Sequence, residues 1–312
     1  MTWWSAYQGR RVLVLGAGGF IGRRVARRLA EAEAELSCGV REAARAPRLP
    51  GTLRETDLTR PGAAAELVNA VRPSVCFNLA GYGVLPGQLD PALARRLNSE
   101  LPHELAEACA SAVEPSWPGQ HLVHVGSAAE YGRAGGDLAE TTQPEPMTLY
   151  GNTKLAGTRA VAATAATGRV RAVTARLFTV YGPGEPPGRL LPSLIAAAQA
   201  AEPIPLTAGR QRRDFTWLDD VVEGLLRLGL SAGPDLGPIN LATGRLTSVR
   251  SFVETAAGIL GIVPGRLQFG ALPTRPDEMA HDAVNLTRLR ARCGWIPGVR
   301  IEEGIRRTVQ EG

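Results

Sequence analysis

The chain has 312 residues, 44% hydrophobic and 21% charged, a composition that excludes intrinsic disorder and fits one large or two closely joined globular domains. Its formal net charge of +5 does not point to nucleic acid, because the arginines are scattered and no basic run is interleaved with aromatics. No apolar stretch approaches the ~18 residues of a membrane span, and the start "MTWWSAYQGRR" lacks a signal-peptide core, so a soluble cytoplasmic setting is expected.

The first predicted strand is Arg11 to Leu15, followed by "GAGGFIG" and a helix from Ile21 to Ala32. Gly16, Gly19 and Gly22 form G-x-x-G-x-x-G, a variant of the dinucleotide fingerprint. There the missing side chains let backbone amides and a helix N-terminus approach a pyrophosphate. The basic run "RRVARR" alternates with the apolar face of this helix and reads as solvated. A second strand, Glu35 to Val40, ends in Gly39 and Val40 where an acid would grip the adenosine ribose of NAD; Arg41 follows and favours the 2′-phosphate of NADP.

Strands are then predicted at Thr52 to Thr56, Ser74 to Leu79, Gln120 to Val125 and Val170 to Leu177. Between them lie helices at Gly62 to Val71, Pro91 to Ser111 and Tyr150 to Thr167. Strands alternating with helices make an α/β doubly wound parallel sheet, with ligands beyond the strands' carboxyl ends. Past "YGPGEPPGRLLP" the texture shifts to short strands, such as Ile204 to Leu206 and Pro238 to Ala242, with small helices between them. This segment reads as a smaller substrate-facing lobe. The expected division is residues 1–180 and 181–312, with elements free to cross. Cys38, Cys76, Cys109 and Cys293 are far apart and form no C-x-x-C or Cys/His cluster, so neither a disulfide framework nor a metal site is expected.

Lys154 is the only lysine among 35 lysine and arginine residues, and it stands four positions after Tyr150. On a helix that spacing puts both on one face. A compact ammonium is expected to stabilise the tyrosine phenolate, lower its pKa toward neutrality and donate to a cofactor ribose. Upstream, "HLVHVGSAAEYG" places Ser127 at a strand's carboxyl end, either as a turn cap or as a hydroxyl beside a substrate carbonyl. Tyr131 and Tyr181 read as packing aromatics, His121 and His124 as core or hydrogen-bonded residues, and Asp219 with Asp220 as helix capping.

Taken together, "GAGGFIG", "DLT", "FNLAG", "GSAAEYG", "YGNTK", "RLFTVYGPG", "RRDFTWLDDVV", "RPDE" and "CGWIP" run nearly the whole length in order. The chain resembles the extended short-chain dehydrogenase/reductase family, in its nucleotide-sugar epimerase, dehydratase and reductase branch. The resemblance implies a Rossmann-type fold with a catalytic Ser127, Tyr150 and Lys154. It implies a cofactor groove of Gly16, Gly19, Phe20, Ile21, Gly22, Arg41, Asp57, Leu58, Leu79, Ala80, Gly81, Tyr150 and Lys154. Thr179, Arg213 and Arg275 would contact a nucleotide-diphosphate sugar, the arginines as bidentate diphosphate donors.

Two departures qualify the resemblance. Ala128 and Ala129 stand where dehydratases of this family carry an Asp-Glu pair, which makes elimination of water unexpected. Thr179 replaces a usual asparagine. The expected activity is an NADP-dependent reduction of a 4-keto-6-deoxysugar, with C4 epimerisation on recycled NAD(P) as the alternative and a non-catalytic dinucleotide sensor as a third reading. A homodimer through the helices around Pro91 to Ser111 and Tyr150 to Thr167 is expected by the same resemblance.

Overall fold

The computed structural model describes residues 2–45, 48–83, 87, 88, 90–233 and 237–311. Seven strands form one parallel sheet: β1 Arg11–Leu15, β2 Glu35–Val40, β3 Thr52–Glu55, β4 Val75–Asn78, β5 Leu122–Ser127, β6 Ala172–Leu177 and β7 Pro238–Leu241. Their order is β7-β6-β5-β4-β1-β2-β3. The chain therefore leaves β1 toward one edge and returns to β4 to build the other. That reversal opens a crevice at the carboxyl ends of β1 and β4, where α/β sheets bind ligands. Parallel strands covered on both faces are apolar without alternation, and both β4 and β6 are buried at every position.

The helices are α1 Phe20–Glu31, α2 Ala63–Val71, α3, α4 Leu149–Ala166, α5 Leu190–Ala198, α6 Leu218–Leu230, α7 Val249–Leu260, α8 Thr287–Cys293 and α9 Ile301–Glu311. α3 runs as Pro91–Arg95, a π turn at Arg96–Glu100, and Leu101–Ser111. α1 and α6 cover one face of the sheet through Val25, Leu29, Val221 and Leu225. α2, α3 and α4 cover the other through Leu67, Leu105 and Val161.

The smaller lobe packs α5, α7 and α9 around a three-stranded sheet made of Thr179–Tyr181, Arg212–Trp217 and Leu246–Ser248. Its core holds Tyr181, Trp217 and a stacked pair, Phe215 and Phe252, with centroids 4.2 Å apart.

Several sequence-based expectations change in detail. β7, read as part of the second lobe, pairs with β6 in the large sheet, because Ile239 and Leu241 complete the main core. β5 starts two residues later than predicted and runs on to Ser127, which pairs with Leu177 of β6. Asp219 and Asp220 lie in the first turn of α6 but do not cap it with their side chains. Asp219 instead binds Arg24 of α1 (2.7 Å), and Asp220 accepts the amides of Gly298 and Val299 (2.9 and 2.8 Å). The basic face of α1 is correspondingly less solvated than its charge suggests. Arg23 donates to Gly184 O at 3.0 Å, and Arg28 lies over the Trp4 ring. Tyr131 and Tyr181 are buried in core clusters as expected.

Candidate active site

The glycine-rich turn is shaped by close approach. Gly16 has φ +72°, and a Cβ there would meet Ala80 N and the Leu79 carbonyl carbon at 2.7 Å, so the ends of β1 and β4 touch only because position 16 lacks a side chain. A Cβ on Gly22 would lie 2.1 Å from Gly16 O, which fixes how tightly α1 springs from the turn. Gly19 is the N-cap of α1 in an extended conformation. Phe20 and Ile21 open the helix, partly buried against the main core. The resulting backbone cradle with a helix N-terminus fits a dinucleotide pyrophosphate.

Further along the same edge, Arg41 is exposed just beyond β2. The exposed Asp57 carboxylate is held below its usual pKa by the Thr59 hydroxyl (2.7 Å) and amide (3.0 Å), with the Arg41 charge adding to the effect. Leu58 packs against the core beneath α2, and Leu79, Ala80 and Gly81 continue from β4 along the crevice wall. Asn78 supports that wall: its Oδ1 accepts the Ala80 amide at 3.2 Å, and its amide nitrogen pairs with His124 Nδ1 at 3.1 Å. Burial holds His124 well below its ordinary pKa, with the Lys154 charge adding to it, so this imidazole is a neutral structural partner. His121 is likewise buried and pushed down to about 4, first by burial and then by Arg171.

The Ser127, Tyr150 and Lys154 side chains converge at the end of β5. Thr148 caps α4 by accepting the Gly151 amide at 3.0 Å, which sets Tyr150 in the first turn. Gly151 lets that turn press on the Ser127 loop, since a Cβ there would sit 2.4 Å from Ala129 O. The Ser127 side chain is near enough to the Tyr150 hydroxyl to act on its pKa, lowering it. Ser127 accepts the Ala129 amide at 3.2 Å, so it fills the turn-cap role that the sequence offered.

Lys154 is buried, and its Nζ donates to Val125 O at 2.5 Å. This corrects one expectation. Burial raises the Tyr150 phenol, Ser127 and the Arg189 charge oppose the rise, and Glu130 adds to it.

Burial also lowers Lys154 from 10.5 to about 8, against the raising effect of Glu130. A folded-state value below the unfolded one means that the unfolded chain binds more protons between about pH 8 and pH 10.5, so this residue's contribution to stability rises with pH across that window. Below pH 8 the full penalty, about 3 kcal/mol, is present. Lys154→Met is therefore expected to raise the Tm at pH 7, with the advantage shrinking as pH climbs toward 10.5. Thermal melts across that range check this, and a gap independent of pH would refute the assignment.

Around these three residues stand groups that the motifs did not flag. The π turn of α3 turns Asn98 toward the crevice, where it binds Tyr82 N (2.9 Å), Tyr82 O (2.8 Å) and Thr153 of α4 (3.0 Å). Glu130 is fully buried and paired with Arg176 of β6 at 2.8 Å. Two cues in the sequence mark this pair. "SAAE" has the S-x-x-E spacing of a capping box, and an arginine inside an apolar strand run demands a buried partner. Asn98 has only a weak cue, a poor helix former in mid-helix.

In the second lobe Thr179 is half-buried at the start of its strand. Arg213 is held by Glu278 through two bonds of 2.8 and 2.7 Å, which joins the "RRDF" and "RPDE" segments, while Arg275 is exposed nearby in the chain. Among the described residues no cluster of His, Cys, Asp and Glu is placed to hold a metal, and no helix is long and apolar enough to cross a membrane.

The model of the NAD dependent epimerase/dehydratase family matches residues 12–242. The chain belongs to that family and is an enzyme of its kind. It is 32% identical over 313 residues to the dTDP-6-deoxy-L-talose 4-dehydrogenase (NAD(P)(+)) of Kitasatospora kifunensis, covering 95% of this chain and 93% of that one. It is 28% identical to the probable UDP-glucuronate 4-epimerase of Rhizobium meliloti (strain 1021), with 96% of each chain covered. Among solved structures, MoeE5 in complex with UDP-glucose and NAD superposes with a TM-score of 0.80 at 30% identity, covering 96% of this chain and 97% of that one. This family member thus has the extended short-chain dehydrogenase/reductase architecture that its motifs implied.

Proposed function

We propose that the protein is an NADP-dependent oxidoreductase acting at C4 of a nucleotide-diphosphate sugar, with reduction of a 4-keto-6-deoxysugar as its reaction. The observation that carries this reading is the turn after Ser127. Elimination of water needs its own acid and base. Positions 128 and 129 are alanine, and the one carboxylate of the turn, Glu130, is buried in an ion pair with Arg176. What remains is a hydroxyl pair and an ammonium, the equipment for moving a proton on and off one sugar oxygen. Similarity to a 4-dehydrogenase along nearly the whole chain supports the same reading.

In the reducing direction, Tyr150 gives its phenolic proton to the oxygen of the carbonyl carbon, and Ser127 holds that oxygen by a hydrogen bond. Lys154 supplies the positive charge that offsets the phenolate once the proton has left, and it donates to a ribose hydroxyl. The cofactor, when bound, supplies the hydride. Gly16, Gly19 and Gly22 admit its pyrophosphate, with Phe20, Ile21, Asp57, Leu58, Leu79, Ala80 and Gly81 along the groove. Arg275, with the one Arg213 guanidinium nitrogen beyond the two that bind Glu278, takes the sugar-nucleotide diphosphate, and Thr179 contacts the sugar. Association as a homodimer through α3 and α4 belongs to the same reading.

Arg41 is assigned to the 2′-phosphate. Arg41→Ser is expected to lower kcat/KM for NADPH about tenfold, the worth of one exposed charge-assisted contact, and to leave NADH unchanged. Equal losses on both cofactors would remove Arg41 from that role.

The reaction itself is tested by following nicotinamide absorbance with a panel of nucleotide-linked 4-keto-6-deoxysugars. Stoichiometric loss of NADPH supports reduction. A new sugar isomer without net cofactor loss would favour C4 epimerisation, the second reading, which the resemblance to a 4-epimerase keeps open.

A further inference from the structure

A carboxylate with no solvent contact is held only when its oxygens are fully engaged. Glu130 meets that condition with donors from three separate elements. Its Oε1 accepts the Ser127 amide at 2.8 Å and the Thr158 hydroxyl at 3.0 Å, and its Oε2 accepts Arg176 Nε at 2.8 Å. Ser127 ends β5, Thr158 belongs to α4 and Arg176 to β6. Thr158 stands four residues after Lys154 and eight after Tyr150, on the same stripe of α4.

The surroundings are cut to admit this carboxylate. A Cβ at Gly126 would lie 2.6 Å from Glu130 Oε1, so the strand omits a side chain where the carboxylate reaches back beneath Ser127. Ser127 and Glu130 close a reciprocal capping box around the short turn Ala128–Glu130. A three-residue turn needs no buried ion pair to be capped, because an exposed glutamine serves a capping box as well. The Arg176 guanidinium lies over the Tyr131 ring at 4.5 Å, which fixes the cation from its other side.

We infer that Glu130 is a positioning residue: one carboxylate, anchored by Arg176, ties the strand end bearing Ser127 to the helix bearing Tyr150 and Lys154. It thereby sets where the Ser127 hydroxyl stands relative to Tyr150 and Lys154. This rests on the reading of Ser127, Tyr150 and Lys154 as the reacting groups. Glu130 is near enough for its charge to act on both Tyr150 and Lys154, raising each.

Removing one charge alone would leave the other buried and unpaired, so the test compares two neutral pairs. Glu130→Gln with Arg176→Met keeps a carbonyl oxygen for Ser127 and Thr158. Glu130→Leu with Arg176→Met keeps the volume and loses the acceptor. Both are expected to bind NADPH with affinities within about threefold of each other. The glutamine pair is expected to exceed the leucine pair in kcat by about 30- to 100-fold, the cost of a misplaced reacting group, at similar KM. Equal kcat in the two overturns the proposal.

If the leucine pair does not fold, Thr158→Val, which removes a single donor, carries the test. Its kcat should fall several-fold with Tm near wild type, and an unchanged kcat overturns the bridge. Tyr150→Phe is assayed alongside. Full turnover in that variant would sink the catalytic reading itself, whereas an inactive Tyr150→Phe with equal neutral pairs sinks only the bridge.

Discussion

Tyr150→Phe is expected to lower kcat by about 10²- to 10⁴-fold, the usual worth of a positioned general acid–base group. NADPH affinity should stay within a few-fold. The substitution removes one oxygen from a ring fixed by the α4 cap and by the approach of Gly151 to Ala129 O, so little else changes. Burial raises the phenol, so Tyr150 enters the reduction protonated and holds the proton that the step transfers. Ser127→Ala should cost less, about 10- to 100-fold, since it removes a hydrogen bond to the reacting oxygen but not the proton donor. Steady-state NADPH oxidation on a competent keto-sugar, with cofactor binding followed by fluorescence, separates the two effects. A Tyr150→Phe enzyme with wild-type kcat would remove Tyr150 from the chemistry.

Arg176→Met is expected to be the most destabilising single change near the site. Arg176 and Glu130 side chains are 3% and 0% exposed, and deleting one partner of such a pair costs about 3–5 kcal/mol because the other charge stays buried. For a chain of this size that lowers the Tm by roughly 5–8 °C. Adding Glu130→Gln should recover much of the loss, since a neutral pair no longer strands a charge. Calorimetry on the two singles and the double closes a mutant cycle. A double variant no more stable than Arg176→Met would show that the loss does not come from a stranded Glu130 charge.

The fold was legible in the sequence because parallel strands buried on both faces are continuous apolar runs, and β1 and β2 match the predicted limits to the residue. The catalytic trio was legible for another reason. Tyr150 and Lys154 are local to one helix, and a single lysine against so many arginines is visible without a structure. Groups whose roles depend on distant partners were not. Asp219 reaches Arg24 of another helix, and Arg213 is taken by a carboxylate in a far segment. Their partners lie 195 and 65 positions away, beyond anything that local spacing encodes. The raised phenol was not legible for the same reason, because i, i+4 spacing does not reveal how deeply the tertiary fold buries the Tyr150 hydroxyl.

The solitary lysine also makes the chain its own reporter of motion. A lysine-specific endoprotease has one bond to cut, Lys154–Leu155, and it would release two pieces of nearly equal size. Both residues are buried within α4, so the bond is reachable only while that helix is unwound. Cleavage rate thus reads the opening free energy of this one element wherever reclosing outpaces the protease. A nucleotide that clamps the helix would appear as a slower digest, with no label and no substitution required.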